Sequence, residues 1–216
     1  MDYSSQEAFS ALLEQAKDLT QVAHNVIFSG VPYVFRDEPH TWTSLRLHLA
    51  RDLGCTEQEV HVAGSAKTGF SLAPHKYGQP FSARSDIDVI IINEHLFDTI
   101  WLSVIRWHYR RRNRLPKPER RWDDERRKDL YWGYINPVGY AYRGLSFPRD
   151  LHPARKVSRI WFNAFQGLGR YPEFVGRKVS GRLYRSNEHA VCYHRHGLEL
   201  LRHQLRNHSK EATSEF

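Results

Sequence analysis

Two aspartates, Asp86 and Asp88, stand at the head of the apolar run Val89–Ile90–Ile91–Ile92. β-Branched residues without Gly or Pro, preceded by turn-forming residues, read as a strand. Side chains two apart on a strand share a face. Asp86 and Asp88 therefore project side by side, with Ile87 turned into the core. Carboxylates so placed repel each other unless a cation sits between them. Such a pair suits a hard divalent ion, Mg²⁺ or Mn²⁺, that takes oxygen ligands and keeps phosphates and waters in its shell. Upstream, across a gap of 20 residues, an apolar approach ends in Gly64–Ser65. Glycine lets backbone come close to a phosphate, and a serine hydroxyl can donate to a phosphate oxygen. The competing reading of Asp-x-Asp is an Asx-capped turn carrying solvated charges.

The stretch Val62 to Ile92, with a strand, a Gly64–Ser65 turn and then Ser85-Asp86-Ile87-Asp88-Val89, resembles the DNA polymerase β-like nucleotidyltransferase superfamily, particularly its small bacterial members. The resemblance covers about residues 40–100. It implies a mixed sheet flanked by helices, a nucleoside triphosphate held at Gly64 and Ser65, and Mg²⁺ or Mn²⁺ held by Asp86 and Asp88. Lys67, Arg84 and Ser85 are the further nucleotide-binding candidates, the two cations facing the pyrophosphate leaving group. A P-loop is excluded, because Ala66 and His61 occupy its two glycine positions before Lys67–Thr68. The gap is longer than the compact members use, and residues 72–81, with Pro74, Gly78 and Pro80, read as an inserted loop. The superfamily also places a third carboxylate on a neighbouring strand. The expected neighbour, Lys178 to Arg185, has no acid, and Asp150 and Glu188 are the nearest options.

The elements that must position these residues follow from periodicity. Ser4 to about Ala23 reads as one amphipathic helix, with Ser4 and Glu7 as a capping box. Glu38 to Leu53 reads as a helix stopped by Gly54, and Val60 to Ala63 as the first strand. A helix-like run follows Asn93. Tyr131 to Phe147 is loop-rich and aromatic, Ala154 to Phe165 is a short helix, and Lys178 to Arg185 is a strand with Ser180, Arg182 and Tyr184 on one face. A final helix runs to about His208, with a frayed tail from Lys210. The fold expected is α+β, a mixed β-sheet flanked by helices in a single domain over 1–216. Its motif core spans about 40–100, a basic insertion about 106–128, and a C-terminal strand and helix about 178–208.

The net charge is +8, and 11 Arg and Lys against 4 Asp and Glu fall between Arg106 and Lys128. Trp107, Tyr109 and Trp122 are interleaved there. Clustered arginines with aromatics suit phosphate contacts and base stacking, so Arg110, Arg111, Arg112 and Arg114 are nucleic-acid candidates. The plainer reading is a solvated segment whose arginines pair with Asp123, Asp124 and Glu125. Partners to expect are an NTP donor, RNA or another polyanion, or a partner protein. No apolar run is long enough to span a bilayer, the first residues carry no export signal, and Cys55 and Cys192 match no metal spacing. A cytoplasmic protein without a membrane partner is expected. Two functions stay open: transfer of a nucleoside monophosphate to a hydroxyl on RNA, protein or nucleotide, or a non-catalytic module of the same fold that binds nucleic acid or a partner protein.

Overall fold

A computed structural model of the chain describes residues 5–111, 117–140, 148–171, 174 and 176–214. Four strands, β1 (Val60–Ala63), β2 (Ile87–Ile92), β3 (Tyr134–Ile135) and β4 (Val179–Tyr184), form one sheet in the order β1-β2-β4-β3. β2 runs antiparallel to β1, with Ala63 opposite Asp88. It runs parallel to β4, with Asp88 opposite Ser180 and Ile90 opposite Arg182. β3 closes the far edge antiparallel to β4. The mixed sheet lies between helical layers, the α+β arrangement expected.

The apolar run of β2 explains its central place, since a strand covered on both faces needs no polar side. Ile87, Val89 and Ile91 enter one layer with Leu45, Leu49, Phe97, Ile100 and Trp161. That layer is built by α3 (Pro39–Leu53), α5 (Glu94–Arg111) and α7 (His152–Gly167). Pro39 opens α3, and Gly54, at φ 66°, ends it. Asn93 Oδ1 accepts from the Leu96 amide at 2.9 Å and caps α5. α7 lies close under β4 because residue 181 is glycine: a Cβ there would come within 2.3 Å of Phe165 Cζ and 2.8 Å of Trp161 Cζ2.

Ile90 and Ile92 face the other layer with Ile27, Tyr184 and Ala190. Here α1 (Gln6–Gln15) and α2 (Leu19–Ala23) pack on α8 (Asn187–Ser214) through Phe9, Leu13, Leu19, Val22, Val191 and Leu201. The expected single N-terminal helix is two. Asp18 accepts from the Thr20 amide at 2.7 Å and starts α2 afresh. Ser5 caps α1, accepting from the Ala8 amide at 3.2 Å, while Ser4 lies outside the described residues. α8 continues to Ser214, past the tail expected from Lys210.

The basic segment is the end of α5 followed by α6 (Lys117–Tyr131), and it belongs to the core. Trp107 and Trp122 are buried and meet edge to face at 5.3 Å, with Tyr140 against Trp122 at 5.8 Å. Those two indoles hold helices together and are not stacking platforms. The arginines of α6 are largely paired: Arg121 with Glu125, and Arg127 with both Asp123 and Asp124. Residues 141–147 of the aromatic stretch lie outside the described residues. No helix among the described residues is long and apolar enough to cross a membrane.

Candidate active site

The antiparallel β1–β2 pair and the parallel β2–β4 pair bring the end of β1 and the starts of β2 and β4 to one edge of the sheet. Gly64 leaves β1 at φ 64°, ψ −156°, a conformation open in practice only to glycine. A Cβ there would lie 3.5 Å from Asp88 Oδ2, so the turn passes beside that carboxylate with room for little more than a methyl group. Ser65 then opens α4 (Ser65–Thr68), a single turn. The long loop that follows is folded back on itself. Phe81 N donates to Gly69 O at 2.8 Å, and Ser71 N to Gln79 O at 2.9 Å. Its exit is a tight turn in which Ser85 Oγ accepts from the Ser82 amide at 3.0 Å and Ser85 N donates to Ser82 O at 3.1 Å. Ser85 thus fixes the approach to the aspartates.

Asp86 precedes β2 and Asp88 lies within it, each opposite a residue of β4 or its lead-in. Lys178 Nζ donates to Asp86 Oδ2 at 2.7 Å, and Ser180 Oγ donates to Asp88 Oδ1 at 2.8 Å. The bond to Asp86 raises the pKa of Lys178 above the ordinary lysine value. The two side chains follow the two-residue period of the strand and open into one cleft of about 970 Å³. Gly64, Ser65, Arg84, Ser85, Asp86 and Asp88 all line it. Ser180 and Arg182 of β4 and Tyr193, His194 and Leu198 of α8 make its other walls.

Lys67, expected at the nucleotide, is carried by the turn of α4 into a separate cavity of about 520 Å³ shared with Arg46 and His61. Its ammonium is buried there and donates to the carbonyls of Ser29 and Gly30, the latter at 3.2 Å. Burial lowers its pKa to about 8. A side chain so anchored holds the 29–30 loop and does not reach the cleft. The two nearest options for a third acid lie away from the cleft. Asp150 is paired with Arg110 at 3.1 Å, Glu188 is exposed at the start of α8, and neither lines the cleft. The residue of β4 opposite Asp88 is Ser180. Arg110 is occupied by Asp150, while the Arg111 side chain and all of Arg112 and Arg114 lie outside the described residues.

Among the described residues no three His, Cys, Asp or Glu side chains gather as a metal-binding group. The donor set at the cleft is two carboxylates with the Ser180 hydroxyl between the strands. That set fits Mg²⁺ or Mn²⁺ only with much of its shell supplied by water and a substrate's phosphates, which is how Mg²⁺ is usually held. Sequence reasoning left Lys178, Ser180 and Arg182 out of the site. The signal was the alternation of β4, which sets Ser180, Arg182 and Tyr184 on one face. It became a site signal only with β4 beside β2.

The chain matches no protein-family model, no curated protein and no solved structure.

Proposed function

We propose that the chain is a metal-dependent nucleotidyltransferase that moves a nucleoside monophosphate from an NTP to a hydroxyl acceptor. The observation that carries this reading is the convergence of Gly64, Ser65, Asp86 and Asp88 on one cleft, from the turn after β1 and the start of β2. Gly64 and Ser65 orient the donor's outer phosphates, and Arg84 faces the pyrophosphate. Asp86 and Asp88 would hold Mg²⁺ or Mn²⁺, which would neutralise charge on the phosphate oxygens. The acceptor oxygen bonds to the α-phosphorus as the bond to the bridging oxygen breaks. Pyrophosphate leaves with the bonding electron pair, and the hydroxyl proton passes to solvent.

The test is incubation of the protein with each of the four α-labelled NTPs, with Mg²⁺ or Mn²⁺, with and without cellular RNA. Label on RNA, on protein or in a new small molecule is expected. Asp86→Asn and Asp88→Asn should each lose at least a hundredfold in rate while melting within a few degrees of wild type. Undiminished labelling in both variants would sink the assignment.

Ser180 opposite Asp88 favours a second reading, a non-catalytic module of the same fold that binds nucleic acid or a partner protein. Such a module binds equally well in chelator, with affinity falling steeply as salt rises. An enzyme needs the divalent ion for turnover.

A further inference from the structure

Arg182 shares the face of β4 with Ser180, two residues further along, and lines the same cleft. Its guanidinium rests on the rings of Tyr134 and Tyr193, 4.9 and 4.7 Å from their centroids. Its hydrogen-bond neighbours are the phenols of Tyr184 and Tyr193. Arginine is always charged and offers five N–H donors, more than two phenols can take. Other arginines nearby have carboxylates: Arg185 takes Asp98 and Glu94, and Arg126 takes Asp129. Among the described residues Arg182 has no carboxylate within 4 Å, though Asp129 lies close enough to feel its charge. On the same wall, the buried His194 Nε2 has no hydrogen-bond partner. A half-buried cation facing a polar cleft without a carboxylate in contact is a place for an anion.

We propose that Arg182 binds a phosphate group of the second substrate, so that the acceptor is itself a phosphorylated molecule. The inference rests on the nucleotidyltransferase reading for the word acceptor. The positions support that division. Gly64 and Ser65 flank Asp88 from β1, the donor side. Ser180 and Arg182 flank it from β4, the opposite side. Two residues of strand span about 7 Å. One molecule can therefore present a hydroxyl at Asp88 and a phosphate at Arg182, with His194 Nε2 as a further polar contact.

The test avoids nucleotide and metal altogether. Inorganic phosphate is titrated against the full chain in chelator at fixed ionic strength, and binding is read from ³¹P line broadening. Wild type and Arg121→Gln, which removes an exposed arginine of α6 paired with Glu125 and outside the cleft, should broaden the line alike. Arg182→Gln should bind at least tenfold more weakly, the loss expected for a charge-assisted contact. Arg182→Met keeps an apolar stem on the tyrosine rings and should lose binding equally, which covers the case in which the Gln variant does not fold. No broadening with wild type, or undiminished broadening in either folded variant, would overturn the proposal. The labelled-NTP assay separates the two readings. Transfer without an Arg182-dependent phosphate site removes this inference alone, and a phosphate site without transfer removes the enzyme reading and leaves Arg182 as an anion site without an acceptor. Supplying a nucleoside monophosphate and a 5′-phosphorylated RNA as competing acceptors then distinguishes the source of the phosphate.

Discussion

Ser180 stands where a third carboxylate would complete an acidic triad, and its hydroxyl already binds Asp88 at 2.8 Å. In the metal-free protein a serine there steadies one carboxylate, whereas an aspartate would add a third negative charge. Ser180→Asp should therefore lower the melting temperature in chelator, and Mn²⁺ should raise it by several degrees more than it raises wild type. No Mn²⁺ shift in either protein would mean that Asp86 and Asp88 do not form an ion site. The aspartate pair was legible in the sequence because it depends only on the strand period, and Gly64–Ser65 because a turn needs local residues. Lys67 was not, because nothing in the spacing tells which way one turn of helix sends a side chain. Arg182 was visible as an alternating strand residue, but its neighbours come from three other elements.

At the scale of elements, the cleft depends on how closely α7 supports β4. Gly181 is the contact point, between Ser180 and Arg182, and rings of α7 fill the space where its Cβ would be. Gly181→Val should destabilise the fold by about 1–3 kcal/mol through overpacking. It should also weaken phosphate and nucleotide binding beyond what the loss of folded protein explains, because β4 is pushed towards the cleft. A urea titration alongside the binding assay checks both. The basic segment shows where composition misleads. Its charge suggested a separate insertion, yet Leu96, Phe97, Ile100, Val104 and Trp107 continue one buried stripe along α5. That three-to-four spacing was present in the sequence, and following it past Arg106 would have assigned Trp107 to the core. The pairing of Arg121 and Arg127 with acids one turn away was legible for the same reason.

At the scale of the whole molecule, two partly buried histidines join the layers on the cleft side of the sheet. His61 of β1 and His194 of α8 both pack against Phe28, with ring centroids 5.1 and 5.8 Å away. Burial, reinforced by Arg46 and Lys67 for His61 and by Arg182 and His61 for His194, lowers the pKa of each to about 4. Both stay neutral in the folded state and protonate near 6.5 when unfolded. Their contribution is whole above pH 6.5 and is lost as pH falls towards 4, about 3 kcal/mol for each. The urea midpoint should fall steeply across that window, and His194→Phe should remove about half of the slope. A further consequence follows from the parallel pairing of β2 and β4, whose ends, Ile92 and Val179, are separated by 86 residues. Synthesis runs from the N-terminus, so Asp86 and Asp88 leave the ribosome long before Lys178, Ser180 and Arg182 exist. A nascent or prematurely terminated chain carries the acidic half of the cleft without its partners, and long-range pairing of this kind forms late. The cleft is therefore assembled only once β4 has been made.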